Sequence, residues 1–342
     1  PLMFACRCGA LEVVRTLLQH RADPMTEIGD EVPEAPSRTA LEATCVYRRV
    51  DCLSELVKYV KANSTAEELS KFINQQSLKG RTALMRAAMS CSAECATRLL
   101  GFGAKPNLTD AVGQTALLYV CDAKNVRVTN QRLVSMLLAN DADVDQFNEK
   151  TGEAPLMVAA GNGHAKCCTV LIQHGATIEY ATPAGETALL RAARTTDERC
   201  VSMLLSAGAR WDKTDADGRT VMHIAALFGN DQVILALLAR QDIAKVLVNK
   251  QAAEKDRKRT PLCIASANGW WKAVRNLALG CVEIDLEMKD MDGLDAKELA
   301  EEHGQEFCVE ELVRAVDARE EGWLEGNVPS AAASLMMRQR SI

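Results

Sequence analysis

GEAPLMVAAGNGHAKCCTVLIQHGATIEYATPAG, residues Gly152 to Gly185, is the stretch whose reading decides the fold. Ala154 and Pro155 open a first helix, where proline is tolerated because the first helical N–H has no intrahelical partner. Leu156, Ala159 and Ala160 mark its apolar face. Gly161 to Gly163 ends it, and His164 starts a second helix whose Val170, Leu171 and Ile172 face the opposite way. Gly175 is the expected left-handed stop. Residues Ala176 to Ala184 are too short and irregular for a helix and suit an extended finger leading onward.

Copies of this unit fill the chain. Thr82 and Thr115 are 33 residues apart, as are Thr187 and Thr220, and Ala154 stands 33 before Thr187. A fixed period of this size means a stacked array. Gly80-Arg81-Thr82-Ala83-Leu84-Met85-Arg86-Ala87-Ala88, Gly185-Glu186-Thr187-Ala188-Leu189-Leu190-Arg191-Ala192-Ala193 and Gly218-Arg219-Thr220-Val221-Met222-His223-Ile224-Ala225-Ala226 lie in register. The unit resembles the ankyrin repeat, and the resemblance runs from residue 1 to about 318. It implies an all-α solenoid of about nine stacked helix-turn-helix units with β-hairpin or loop fingers. It also implies protein–protein recognition on a concave face.

Each conserved residue type of the unit has a physical reason here. Threonine accepts from N–H groups two or three residues on, worth about 1 kcal/mol per cap. Ala-Ala lets helices approach closely. The Leu-Leu pairs 99-100, 137-138, 204-205 and 237-238 fill the seams between units.

Composition agrees. Aromatics are 4% of the 342 residues, which suits a core of Leu, Ala, Val and Met, and an array escapes the size limit of a single core. A net charge of −6 argues against a general nucleic-acid surface. Thirteen cysteines in a repeat chain suggest a reducing, intracellular compartment, cytoplasmic or nuclear, with the thiols as small core residues.

In chain order, Pro1-Leu2 already match the first-helix motif and no initiator Met precedes them, so the chain reads as part of a longer protein. The first finger, near 24–37, is proline-stiffened and acidic: Glu27, Asp30, Glu31 and Glu34 precede Arg38. It reads as a solvated insertion or as a contact for a basic partner. The second copy begins at Thr39 and carries Arg48-Arg49 where Gly-His is usual. Its surplus length, near 60–79, holds Ser64 or Thr65 three residues before Glu67 or Glu68, which predicts a capping box and a short extra helix that buries Phe72 and Ile73. The fourth copy needs a longer loop around 124–130. A long finger is expected over 242–258, ending in the basic run Lys250, Lys255, Arg257, Lys258 and Arg259, a solvated face or an anion contact. Trp270-Trp271 occupy the Gly-His region of the eighth copy; adjacent residues point apart on a helix, so one should pack on the neighbouring repeat and the other be exposed. The ninth copy, with Lys297 in place of Leu, reads as a capping repeat. Residues 319–342 read as a flexible tail with an apolar cluster at 335–337.

The search for chemistry returns no catalytic, cofactor-binding or metal-binding set. The five histidines fall at repeat positions or helix ends. No CxxC pair, phosphate loop, nucleophile elbow or dinucleotide fingerprint occurs. No membrane segment appears, and a monomer is expected. By register, the residues after the motif Gly and after Ala-Ala project onto the concave face: Arg81 with Met89, Gln114 with Asp122, Glu186 with Arg194, and Arg219 with Leu227, joined by the finger residues Tyr180 and Lys213. These are the candidate partner-binding residues. The chain therefore reads as a non-enzymatic scaffold or adaptor. Two alternatives stand: a regulatory or targeting arm of a larger enzyme or channel, and a structural spacer.

Overall fold

A computed structural model describes residues 1–27, 39–122 and 128–320. The chain divides into two compact units, Pro1–Thr177 and Ile178–Ile342. In the first, helices α1 (Leu2–Cys8) and α2 (Leu11–Gln19) form one pair and α3 (Ala40–Val46) and α4 (Val50–Asn63) the next, followed by an extra helix α5 (Ala66–Ile73). Pairs α6 (Ala83–Met89) with α7 (Ala93–Gly101), α8 (Ala116–Asp122) with α9 (Val128–Leu138), and α10 (Pro155–Gly161) with α11 (Ala165–Gln173) complete it. First helices pack on first helices in the order α1, α3, α6, α8, α10, and second helices in the order α2, α4, α7, α9, α11.

The second unit repeats the plan. It holds α12 (Ala188–Ala192) with α13 (Glu198–Ser206), α14 (Val221–Leu227) with α15 (Asp231–Leu238), an extra α16 (Gln241–Leu247), α17 (Pro261–Ala267) with α18 (Trp271–Gly280), and α19 (Ala296–Glu302) with α20 (Glu306–Glu320). Each first helix is short, about two turns, so propensity alone would not hold it. In most pairs its start is fixed by a side-chain cap, which α1 and α10 lack. The hydroxyls of Thr39, Thr82, Thr115, Thr187 and Thr260 accept from the N–H three residues on, at 3.1 to 3.3 Å. In the last pair Asp295 does the same for Lys297 and Glu298.

The fingers are tight loops; among the described residues they contain one isolated β-bridge, Ala181 with Thr187, and no strand. An aspartate shapes several tips. Asp110 Oδ1 accepts from the N–H of Val112 and Gln114, Asp215 Oδ1 from Asp217 and Arg219, and Asp290 Oδ1 from Asp292 and Leu294. Neighbouring tips are joined through the backbone: Ala111 N–H donates to Lys79 O, Ala216 to Ala184 O, Ala253 to Asp217 O and Met291 to Arg257 O. This approach is why glycine precedes the capping threonine. At Gly80 (φ +71°) a Cβ would lie 2.7 Å from Ala111 N, and at Gly218 (φ +71°) 2.6 Å from Ala253 N. A second row of bonds runs from side chain to backbone, with Asn74, Asn107 and Asp145 accepting from the N–H of Lys105, Asp143 and Thr177 in the first unit. Glu179 and Asn249 accept from Arg210 and Asp285 in the second.

The helix expected near 60–79 is α5. Thr65 caps it and Glu68 returns a bond to the Thr65 N–H, while Phe72 and Ile73 are buried. The long finger expected over 242–258 is corrected: its first half is helix α16, and Glu254–Asp256 is a single 3-10 turn. Ile243, Ala244, Leu247 and Val248 are buried, a helical spacing that the following charges obscured. The ninth pair is polar on α19, where Lys297 is exposed, yet α20 still shows Phe307, Val313 and Val316 to solvent. Eleven of the thirteen cysteines are buried and all are free thiols. Residues 28–38, 123–127 and 321–342 lie outside the described residues, and with them most of the acidic finger, most of the loop expected around 124–130 and nearly all of the tail expected over 319–342.

Candidate partner-binding surface

The surface residues expected from the register separate into two groups. Met89, Asp122, Arg194 and Lys213 are exposed. Arg81, Gln114, Tyr180, Glu186, Arg219 and Leu227 are half-buried.

Position after the motif glycine explains four of the second group, Arg81, Gln114, Glu186 and Arg219. That residue sits at the base of its finger, against the next finger's tip. Arg219 forms a two-pronged pair with Asp256 at 2.8 and 3.1 Å, and this carboxylate pushes the guanidinium further above its ordinary range. Arg81 lies 3.5 Å from Asp110 and over the ring of Tyr119. Arg259, at the same register in the eighth repeat, meets Asp290 at 3.2 Å. Glu186 turns inward to its own first helix and pairs with Arg191 and Arg194. Arg81 and Arg219 therefore have partners inside the chain, and exchanging them for acids would disturb the finger before it touched any ligand.

The position after Ala-Ala lies at the end of the first helix and is more open. Met89 is 40% exposed, and Arg194 reaches over the exposed ring of Phe228. Leu227 is covered in part because its carbonyl accepts the Trp270 indole N–H at 3.0 Å. Both tryptophans are partly exposed: Trp270 lies on Gly229 of the preceding repeat, and Trp271 carries Lys272 over its ring. The basic run is largely neutralised, Arg257 by Asp292, Lys258 by Glu254 and Arg259 by Asp290. Sequence reading missed Arg7, which follows Ala5-Cys6 at the same register as Met89.

Two of the histidines, His164 and His223, are buried in the fold. His223 is fully buried, its Nδ1 2.7 Å from Thr220 Oγ1 and its Nε2 3.2 Å from Arg259 O, and burial holds its pKa down to about 4. His164 is also pushed down by burial. Among the described residues no cluster of His, Cys, Asp and Glu could hold a metal ion, and no helix is long and apolar enough to cross a membrane.

Comparison with known proteins bears on the repeats directly. The family model described as ankyrin repeats (3 copies) matches over residues 2–110, 59–147, 84–182, 126–215 and 180–249, most of the chain. The chain belongs to the ankyrin-repeat family. Ankyrin repeats are generally protein–protein interaction modules, and their fold is typically non-catalytic. The human ASB11 ankyrin repeat domain superposes with a TM-score of 0.52 at 23% identity, covering 66% of this chain and 91% of that domain, a likeness of fold alone. SMC5-SMC6 complex localization factor protein 1 of Bos taurus is 26% identical over 44% of this chain. The Homo sapiens protein of the same name is 31% identical over 31% of it. The matched segments span only 14% and 10% of those relatives' lengths.

Proposed function

We propose that the chain is a non-enzymatic adaptor that binds a protein partner along the face formed by the first-helix ends and the fingers. The observation that carries this reading is the division just described. Arg81 and Arg219, which brace the fingers, are paired internally, while Met89 and Asp122, at the position after Ala-Ala, and the finger residue Lys213 stay open. Fold-holding and ligand-holding positions are thereby separate, which lets the surface vary while the stack is kept. The buried free thiols fit a reducing, cytoplasmic or nuclear compartment, and we take the chain to act as a monomer.

A second reading, a targeting or regulatory arm of a larger protein, is favoured by one fact: the relatives that this chain matches are several times longer than the matched segments. Their name attaches to them the localisation of a complex, and recruiting a complex is work for such an arm.

The test is capture from lysate by the wild-type chain beside a variant carrying Met89→Glu, Asp122→Lys and Lys213→Glu. Circular dichroism checks that both are folded. Loss of a specific protein from the variant alone supports the face; equal capture by both moves recognition to the helices' outer side or the tail.

A further inference from the structure

Arg48-Arg49 stand where most copies carry Gly followed by a helix-starting residue. At this register Gly9, Gly163, Gly229, Gly269 and Gly304 all have positive φ, and Arg48 takes the same conformation, φ 56°. Among the described residues of this register Cys91 is likewise a non-glycine at positive φ, whereas Thr196 stands there without it. A long side chain in that region is strained where glycine is not. Such strain is worth explaining when the side chain it introduces stands among like neighbours, as here.

Three arginines mark the join of the first and second repeats, Arg49 reaching back to Arg7 and Arg48 reaching on to the third repeat. Arg49 Nε donates to Arg7 O at 3.3 Å, and its side chain covers Gly9, where an added Cβ would lie 2.9 Å from Arg49 Cδ. Arg7 holds its guanidinium over two rings, 5.8 Å from Phe4 and 5.5 Å from Tyr47. Arg48 is tied to the carbonyl of Ser90 on the next repeat. All three are exposed, and among the described residues none pairs with Asp or Glu. In a chain of net charge −6 whose other arginines on this face meet carboxylates, this is an unneutralised positive cluster. The Arg7 carbonyl holds Arg49 Nε and two rings hold the Arg7 guanidinium, which leaves the terminal N–H groups of Arg7 and Arg49 to fork onto a carboxylate.

We propose that Arg7, Arg48 and Arg49, with Phe4 and Tyr47, form the anchor point for an acidic peptide segment of a partner protein, its carboxylates on the guanidinium groups and an adjacent apolar side chain on the rings. Two neighbours decide the kind of polyanion. Met89 is 40% exposed at the register of Arg7 one repeat beyond Arg48, and Asp122 is exposed one repeat further. A peptide can follow its acids with an apolar residue; a nucleic-acid backbone running the same way would meet Asp122 and an acidic chain.

This inference rests on the face proposed above and narrows it to a chemistry. The experiment is fluorescence anisotropy with the full chain and three labelled probes: a short peptide of glutamates and leucines, the same peptide with glutamine for glutamate, and a single-stranded oligonucleotide of similar length. Binding of the acidic peptide, weakening with salt and falling about tenfold in Arg7→Ala, Arg48→Gly and Arg49→Ala, is expected. Lys255→Ala, an exposed cation on another finger, should bind as the wild type does. Arg48→Gly keeps the test clear of misfolding, because it restores the residue the backbone prefers and should melt no lower than wild type. Equal binding of the glutamine peptide, tighter binding of the oligonucleotide, or no loss in Arg48→Gly overturns the proposal. A negative result here beside a partner lost from the Met89, Asp122 and Lys213 variant overturns the acidic anchor and leaves the face standing.

Discussion

His223 shows how one buried side chain ties the fold to pH. Its imidazole is held neutral by burial, with a pKa near 4 in the folded chain against the usual 6.5. The unfolded chain takes up a proton as pH falls below about 6.5 while the folded chain refuses it until about 4. Stability is therefore complete above pH 6.5 and declines as the pH falls between these values, by about 3 kcal/mol in all. The melting temperature should fall across that window in the wild type, and less steeply in His223→Gln; an equal slope in both would show that His223 does not set the acid limit. A second residue-scale expectation concerns Arg219 and Asp256. Both are only about a fifth to a quarter exposed and bidentate, so a double-mutant cycle in urea should return a coupling of roughly 0.5–1 kcal/mol, above that of an isolated surface pair.

The two added helices carry the predictions at the scale of elements. Phe72 has no exposed surface in α5, so Phe72→Ala should cost about 3–5 kcal/mol in denaturant unfolding. Ile243 and Leu247 are equally buried in α16, and Leu247→Ala should cost about 2–5 kcal/mol. A small loss at Leu247 would restore the loop reading of that segment. The contrast between these helices shows what the sequence made legible. Helix α5 was readable because Thr65 and Glu68 announce its start chemically. Helix α16 has no side-chain cap on Arg240, so only its burial pattern marks it, and four apolar residues in a charged setting are a faint pattern. The main helix pairs were legible throughout, because threonine, Ala-Ala and Leu-Leu answer local demands. The candidate surface was half legible. Register gives the direction of Arg81 and Arg219, but the aspartates that claim them lie 29 and 37 residues on, in fingers whose positions no local pattern reveals.

At the scale of the molecule, repeats joined to their neighbours alone unfold by neighbourhoods. Leu53 belongs to the core of Pro1–Thr177 and Leu277 to that of Ile178–Ile342. Hydrogen exchange should therefore show Leu53→Ala loosening amides chiefly in the first unit, and Leu277→Ala chiefly in the second. Uniform loosening of both by either change would mean that the chain opens as one piece.

The asparagines that follow the added helices have a wider meaning. Asn74 directly follows α5 and Asn249 comes two residues after α16, and each offers its oxygen to the N–H of the next finger. Extra chain is let out and then caught again at the same rung, so what lies between departure and return is free in length. Such an array can gain a helix in one generation without renegotiating any later joint. An engineer could use the same two berths to graft a tag, a sensor or a foreign loop, and leave the stacked pairs on either side as they were.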